Sequence, residues 1–238
     1  MRTARQIELL LRSAGTPERA KNSAWFFKTA PGEYGYGDKF YGVSVPEQRR
    51  LIRGCDDMSL SEVLKLLNSE HHESRLCACL IIVAQFKNGD SETRKSIYDF
   101  YLAHTERINN WDLVDSSASY IVGSYLNADD ITKLEQLARS DSLWERRISM
   151  IATLAFIAQG EALPTFTIAE ILLQDDQDLI HKAVGWMLRE VGKRVDQKLE
   201  EDWLQEQGRY KVMPRTMLRY AIERFQPELR KKYLRGEI

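Results

Sequence analysis

The sequence predicts an all-α fold, an α-solenoid of antiparallel helix pairs of the HEAT or armadillo kind. Apolar residues recur at i, i+3 and i+4 almost throughout, as in Ile7, Leu10 and Leu11, Val63, Leu66 and Leu67, and Ile131, Leu134 and Leu137. That spacing lines one face of a 3.6-residue helix. No sustained alternation of apolar and polar residues argues for a strand. Five of the six prolines (Pro17, Pro46, Pro164, Pro214 and Pro227) stand at the head of a periodic stretch, where a missing N–H is tolerated. Glu18, Glu47 and Glu228 follow three of them directly and suit the positive end of a helix dipole.

Taken in order, these signals predict helices at roughly 3–14, 17–29, 46–55, 60–69, 71–87, 91–107, 111–126, 129–139, 142–158, 164–174, 177–194, 197–207, 214–225 and 227–235. The first carries the Ile7 stripe, and Pro17-Glu18 and Pro46-Glu47 open the next two. The Val63 stripe marks the fourth, and the apolar run Cys77 to Ala84 makes the fifth a core helix. Asn109 or Asn110 caps the helix beginning at Trp111, with Leu113, Tyr120 and Ile121 as its core stripe. Trp144, Ile148, Ile151 and Ala155 form the buried stripe of 142–158. Short connections make neighbours antiparallel, and pairs stacked in series give a solenoid. No motif recurs at a fixed period and no linker divides the chain, so residues 1–238 read as one helical-repeat domain.

Composition narrows the function classes. The 238 residues are 43% hydrophobic and 29% charged, ordinary for a globular protein. A net charge of -1 excludes a uniformly basic coat, so any phosphate-binding surface must be local. Three cysteines (Cys55, Cys77, Cys79) make no disulfide framework and suit a reducing compartment. The longest apolar run is far short of the ~20 residues of a membrane span, and Glu8 interrupts what would be a signal peptide's apolar stretch. These features predict a soluble cytoplasmic protein.

The one long irregular segment, residues 30–45, holds Gly32, Gly35, Gly37, Gly42 and three tyrosines. It lacks the third glycine of a dinucleotide fingerprint and the Lys-Ser/Thr of a phosphate loop. It reads as a surface loop packed by its own tyrosines, although loops of this length are often functional.

Four constellations could carry chemistry. On 177–194, Lys182, Trp186, Arg189 and Lys193 share one sector, opposite Val184, Met187, Leu188 and Val191. A tryptophan among cations suits a nucleic-acid backbone, where cations meet phosphate and the ring meets sugar or base; a Trp packed under Lys and Arg stems is the other reading. Trp111 and Asp115, four apart on one helix, could stabilise a developing cation by ring face and charge, while pattern alone favours a core Trp with an Asp near the cap. In Leu143-Trp-Glu-Arg-Arg147, Arg147 flanks the buried stripe and Arg146 points further away; a solvated surface charge is the bland reading of both. From Arg209 onward nine Lys/Arg face three Glu, a local +6 that includes Arg215 and Arg219. Cys77 and Cys79 read as core. His71 and His72 have no partner at metal spacing, and no triad is visible, so neither a metal nor another cofactor is expected.

Asn110-Trp-Asp-Leu-Val-Asp115, Leu143-Trp-Glu-Arg-Arg147 and Lys182-Ala-Val-Gly-Trp-Met-Leu-Arg-Glu190 together resemble the AlkD-like DNA alkylation repair family. Val43-x-Val-Pro46-x-x-x-Arg50 and Pro214-Arg-x-x-Leu-Arg-Tyr220 fit it too, in order, across about residues 20–225. The resemblance implies a HEAT-like solenoid cradling duplex DNA in a concave basic groove. It also implies a monomeric, monofunctional DNA glycosylase that excises N3- or N7-alkylated purines without flipping the base. By position, Asp115 would be the catalytic carboxylate and Trp111 and Trp186 the aromatic walls. Arg147 would contact phosphate, and Arg189 matches a basic position of the groove; Lys182, Lys193, Arg215 and Arg219 join them as DNA-binding cations. The competing reading is a non-catalytic solenoid that binds DNA structures or a protein partner. The 30–45 loop and the Trp25-Phe26-Phe27 run depart from the best-known members of the family.

Overall fold

The computed structural model describes residues 2–238, and among them there is no strand, only two isolated bridges. The chain divides into two compact units, Met1–Ser117 and Ala118–Ile238. Both are stacks of short-linked helices of the α-solenoid type.

The first unit contains α1 (Ala4–Ala14), α2 (Pro17–Phe26), α3 (Val45–Leu51), α4 (Leu60–Leu67), α5 (His72–Asn88), α6 (Ser91–Leu102) and α7 (Trp111–Asp115). Caps fix the starts. Thr3 accepts from the Gln6 N–H while the Gln6 side chain accepts from the Thr3 N–H, a reciprocal capping box; Thr16, Ser59 and Asp90 cap α2, α4 and α6. The centre is α5, whose residues from His72 through Val83 are all buried. It packs on α1, α3, α4, α6 and α7, and a helix covered on every side must be apolar nearly all round. Cys77 and Cys79 are wholly buried free thiols there, and burial pushes the Cys79 thiol up to about 12, so both are inert core residues.

The second unit holds α8 (Thr132–Ala138), α9 (Leu143–Ala152), α10 (Leu154–Ile157), α11 (Leu163–Ile171), α12 (Asp178–Arg194), α13 (Gln197–Gln205), α14 (Arg209–Val212), α15 (Arg215–Ala221) and α16 (Pro227–Arg235). Here α12 is central, meeting α9, α10, α11, α13 and α15. Gly185 permits its contact with α15, because a Cβ there would collide with the Met217 carbonyl and Tyr220.

Several predicted helices are broken. The stretch 111–126 stops at Asp115 and resumes as a π-turn over Ser119–Gly123. Tyr120, expected in the core stripe, is 44% exposed, while Leu113 and Ile121 are buried. The stretch 142–158 divides at Thr153. Trp144 is only partly buried in its stripe, whereas Ile148 and Ile151 are fully buried.

The 30–45 segment is held by two carboxylates, Glu73 and its own Asp38, as well as by its tyrosines, Tyr41 stacking on His71 at 3.9 Å. Glu73 accepts from the N–H groups of Tyr41 (3.0 Å), Gly42 (2.7 Å) and Val43 (3.2 Å). Gly42 sits at φ +83 against the Thr16 carbonyl and the Ala20 N–H, where no side chain fits. The second carboxylate, Asp38, belongs to the site below.

Candidate active site

Asn110 is completely buried, and its Oδ1 accepts from the Trp111 N–H at 2.8 Å, which launches α7. One turn of helix then sends Leu113 and Val114 into the core. Trp111 and Asp115, four residues apart, fall on another face and are both half-buried. Trp111 is therefore not a core tryptophan. Its ring stacks on Phe27 (centroids 5.4 Å apart, planes at 28°) and meets Phe26 edge-on at 5.9 Å. Its Nε1–H donates to the Tyr34 hydroxyl at 3.2 Å. The side of α7 that bears Asp115 thus carries an oriented indole beside a carboxylate of intermediate exposure.

Behind α7 lies a network that no local spacing announces. His72 Nε2 donates to Asp112 Oδ2 (2.7 Å) and His72 Nδ1 to Asp38 Oδ2 (3.3 Å). Asp38 also accepts from Arg75 Nη2 (2.6 Å) and from Asn110 Nδ2 (3.4 Å). Arg75 Nη1 and Arg107 Nη2 converge on the Ser69 carbonyl (3.0 and 2.9 Å). The His72 ring lies against Phe27 (4.6 Å) and Phe40 (5.0 Å). Burial pulls the His72 imidazolium toward neutrality, but the Asp112 charge and the hydrogen bonds His72 donates to both aspartates outweigh it and lift the pKa to about 9. Burial likewise pushes Asp38 up, and its bond to His72 together with the Arg75 charge overcomes that and holds its carboxyl below the usual range. No local spacing marks His72, because its partners stand 34 and 40 residues away in the chain.

In the second unit, Lys182, Trp186 and Arg189 are partly exposed and Lys193 is exposed, opposite buried Val184, Met187, Leu188 and Val191. The stripe is as the periodicity placed it, with one addition. Glu190, 5% exposed, accepts from Trp186 Nε1 (3.3 Å) and Arg194 Nε (2.6 Å) and lies near Arg189 (3.6 Å) and Lys193 (3.9 Å). Burial would raise its carboxyl, yet the Arg194 hydrogen bond and the Lys193 and Arg194 charges hold it below the usual range. One anion therefore anchors Trp186 and offsets part of the stripe's charge. The i, i+4 spacings Trp186–Glu190 and Glu190–Arg194 were the signal for it.

The other cations differ in accessibility. Lys182 pairs with Asp178 at 2.7 Å, and Arg189 also pairs with Glu223. Arg215 is exposed and donates to the Leu234 carbonyl at 2.6 Å, and Arg219 is exposed. Arg147 is only 4% exposed and donates to the Leu179 carbonyl, so it is no solvated surface charge. Its neighbour Arg146 holds Asp175 at 2.6 Å and the carbonyls of Ser140 and Asp141, a bridge between α9 and the segment before α12. Within the first unit Trp111 and Asp115 share α7; within the second Trp186, Lys182, Arg189 and Lys193 share α12.

Residues 7–225 match the family described as DNA alkylation repair enzyme. Among solved structures, one from Enterococcus faecalis, described as a predicted DNA alkylation repair enzyme, aligns with a TM-score of 0.67. It is 16% identical, and the alignment covers 90% of this chain and 97% of that one; the likeness is one of fold. No curated protein matches the chain significantly. Among the described residues no helix is long and apolar enough to cross a membrane.

Proposed function

The chain belongs to the family of DNA alkylation repair enzymes, and from that premise we propose that it is a monofunctional DNA glycosylase. Its substrate is duplex DNA carrying N3- or N7-alkylated purines, and it hydrolyses their N-glycosidic bond without flipping the base, as the first step of base excision repair. The observation that carries this reading is the pairing on α7: a half-buried, hydrogen-bonded indole and a carboxylate one turn apart, both turned away from the core that takes Leu113 and Val114.

The chemistry asks for such a pair. An alkylated purine bears a fixed positive charge and departs as a neutral base, so its leaving needs little acid assistance. The deoxyribose passes through an oxocarbenium-like state. Asp115 stabilises that cation and orients or deprotonates the attacking water. Trp111, on the same helix as Asp115, has a ring face that favours that positive charge, and Trp186 is assigned the role of an aromatic wall against DNA. Lys182, Arg189, Lys193, Arg215 and Arg219 meet phosphates. Arg147 is assigned the same role, although a phosphate there must compete with its bond to the Leu179 carbonyl. No lysine is assigned to attack the sugar, so the product is an abasic site in an intact strand.

A binding-only solenoid has no use for a carboxylate among its DNA contacts, because an anion facing phosphate weakens binding. Purified protein should release methylated purines from alkylated duplex DNA, and Asp115→Asn should nearly abolish release while keeping duplex affinity. An Asp115→Asn protein with full activity would remove the assigned role; binding without release by the wild type would select the non-catalytic reading.

A further inference from the structure

We propose that His72 is a positioning residue for this site, resting on the reading above: clamped between Asp38 and Asp112, it fixes the start of α7 and with it Trp111 and Asp115. Two physical paths join it to Trp111. Asp112, bonded to His72 Nε2 at 2.7 Å, is the residue after Trp111. Phe27 lies against both rings, 4.6 Å from His72 and 5.4 Å from Trp111. His72 also ties in the loop, since its N–H donates to the Lys39 carbonyl at 2.8 Å and its Nδ1 to Asp38.

The geometry sets the protonation state. Each ring nitrogen faces a carboxylate oxygen, and a carboxylate only accepts, so both nitrogens carry hydrogen. The charged groups facing His72 are Asp38 from the loop, Arg75 from α5 and Asp112 from α7, with Arg107 behind Arg75 on the Ser69 carbonyl. Lys39 pairs outward with Glu70. Two cations and two anions balance at the centre. Losing the His72 proton leaves a buried negative excess and turns a nitrogen lone pair toward a carboxylate, which loosens the start of α7. Asp112 Oδ1 is buried without a hydrogen-bond partner, so the tie from the Asp112 carboxylate runs through Oδ2 to His72.

The test follows the indole N–H resonance of Trp111 by proton–nitrogen NMR, assigned by its loss in Trp111→Phe. It is recorded from about pH 6.5 to about 10.5 in wild type, His72→Gln and Asp112→Asn. The expected wild-type signal moves with a midpoint near 9 and stays still in His72→Gln. In Asp112→Asn the midpoint falls by about one pH unit or more, which provides the answer should His72→Gln not fold. Tyr34 is the competing titrating group, and Tyr34→Phe should keep the wild-type midpoint. Single-turnover base release should slow on the order of tenfold or more in His72→Gln, with duplex affinity held. A flat wild-type signal, or the same titration in His72→Gln, overturns the proposal. Wild-type protein that releases no base defeats the enzymatic reading alone, because the resonance measurements need no substrate.

Discussion

Glu200→Gln should make the protein more stable at neutral pH, although it adds no contact. Glu200 is 2% exposed, its Oε1 has no hydrogen-bond partner, and its carboxyl lies against Gly192 of α12. Burial, reinforced by the neighbouring Glu201 charge and only partly offset by Arg189, raises its pKa from 4.5 to about 9. The folded chain therefore keeps it protonated at pH 7, whereas the unfolded chain ionises it. A raised folded-state pKa means that the folded form holds the proton more tightly. The wild type thus has its full stability below pH 4.5 and loses it progressively as pH rises through about 9. The interval from 4.5 to 7, at about 1.4 kcal/mol per pH unit, amounts to about 3 kcal/mol. Glutamine has nearly the same shape and no proton to lose, so the variant should gain up to about that amount at pH 7 and almost nothing near pH 4.5. Urea unfolding of both proteins at about pH 5, 7 and 8.5 reads the difference directly. A variant no more stable at pH 7, or a difference constant across that range, would refute a buried neutral carboxyl.

Three other outcomes follow from the same structure. Asp38→Ala should cost about 3–5 kcal/mol in urea unfolding, because it leaves Arg75 and His72 buried without their shared carboxylate; a cost below about 1 kcal/mol would mean that the network is slack. Gly185→Val should cost about 1–3 kcal/mol or more by forcing α12 from α15 at Met217 and Tyr220, and an unchanged midpoint would deny that close approach. Arg219→Ala should weaken duplex binding alike for every sequence and lower the slope of log affinity against log salt by about one. An unaltered slope would take Arg219 out of the phosphate-contacting set.

Helical class was legible because helix formation is local: the 3.6-residue apolar period, the prolines and the caps all act within a few residues. A cap at Asn109 or Asn110, Trp111 and Asp115 on one helix, and the Lys182–Trp186–Arg189–Lys193 stripe opposite the α12 core follow from these local signals, and the structure selects Asn110 as the cap. Even the anion in that stripe was within reach, since Glu190 stands four residues from both Trp186 and Arg194. Tertiary packing decided what burial and distant contacts decide. Arg147 lies inside although a lone arginine charge suggests the surface, and Tyr120 lies outside although its period suggests the core. The clamp on His72 joins Asp38, Arg75, Asn110 and Asp112 across segments far apart in the chain. Charges so far apart in sequence interact strongly only once folding has removed the water between them.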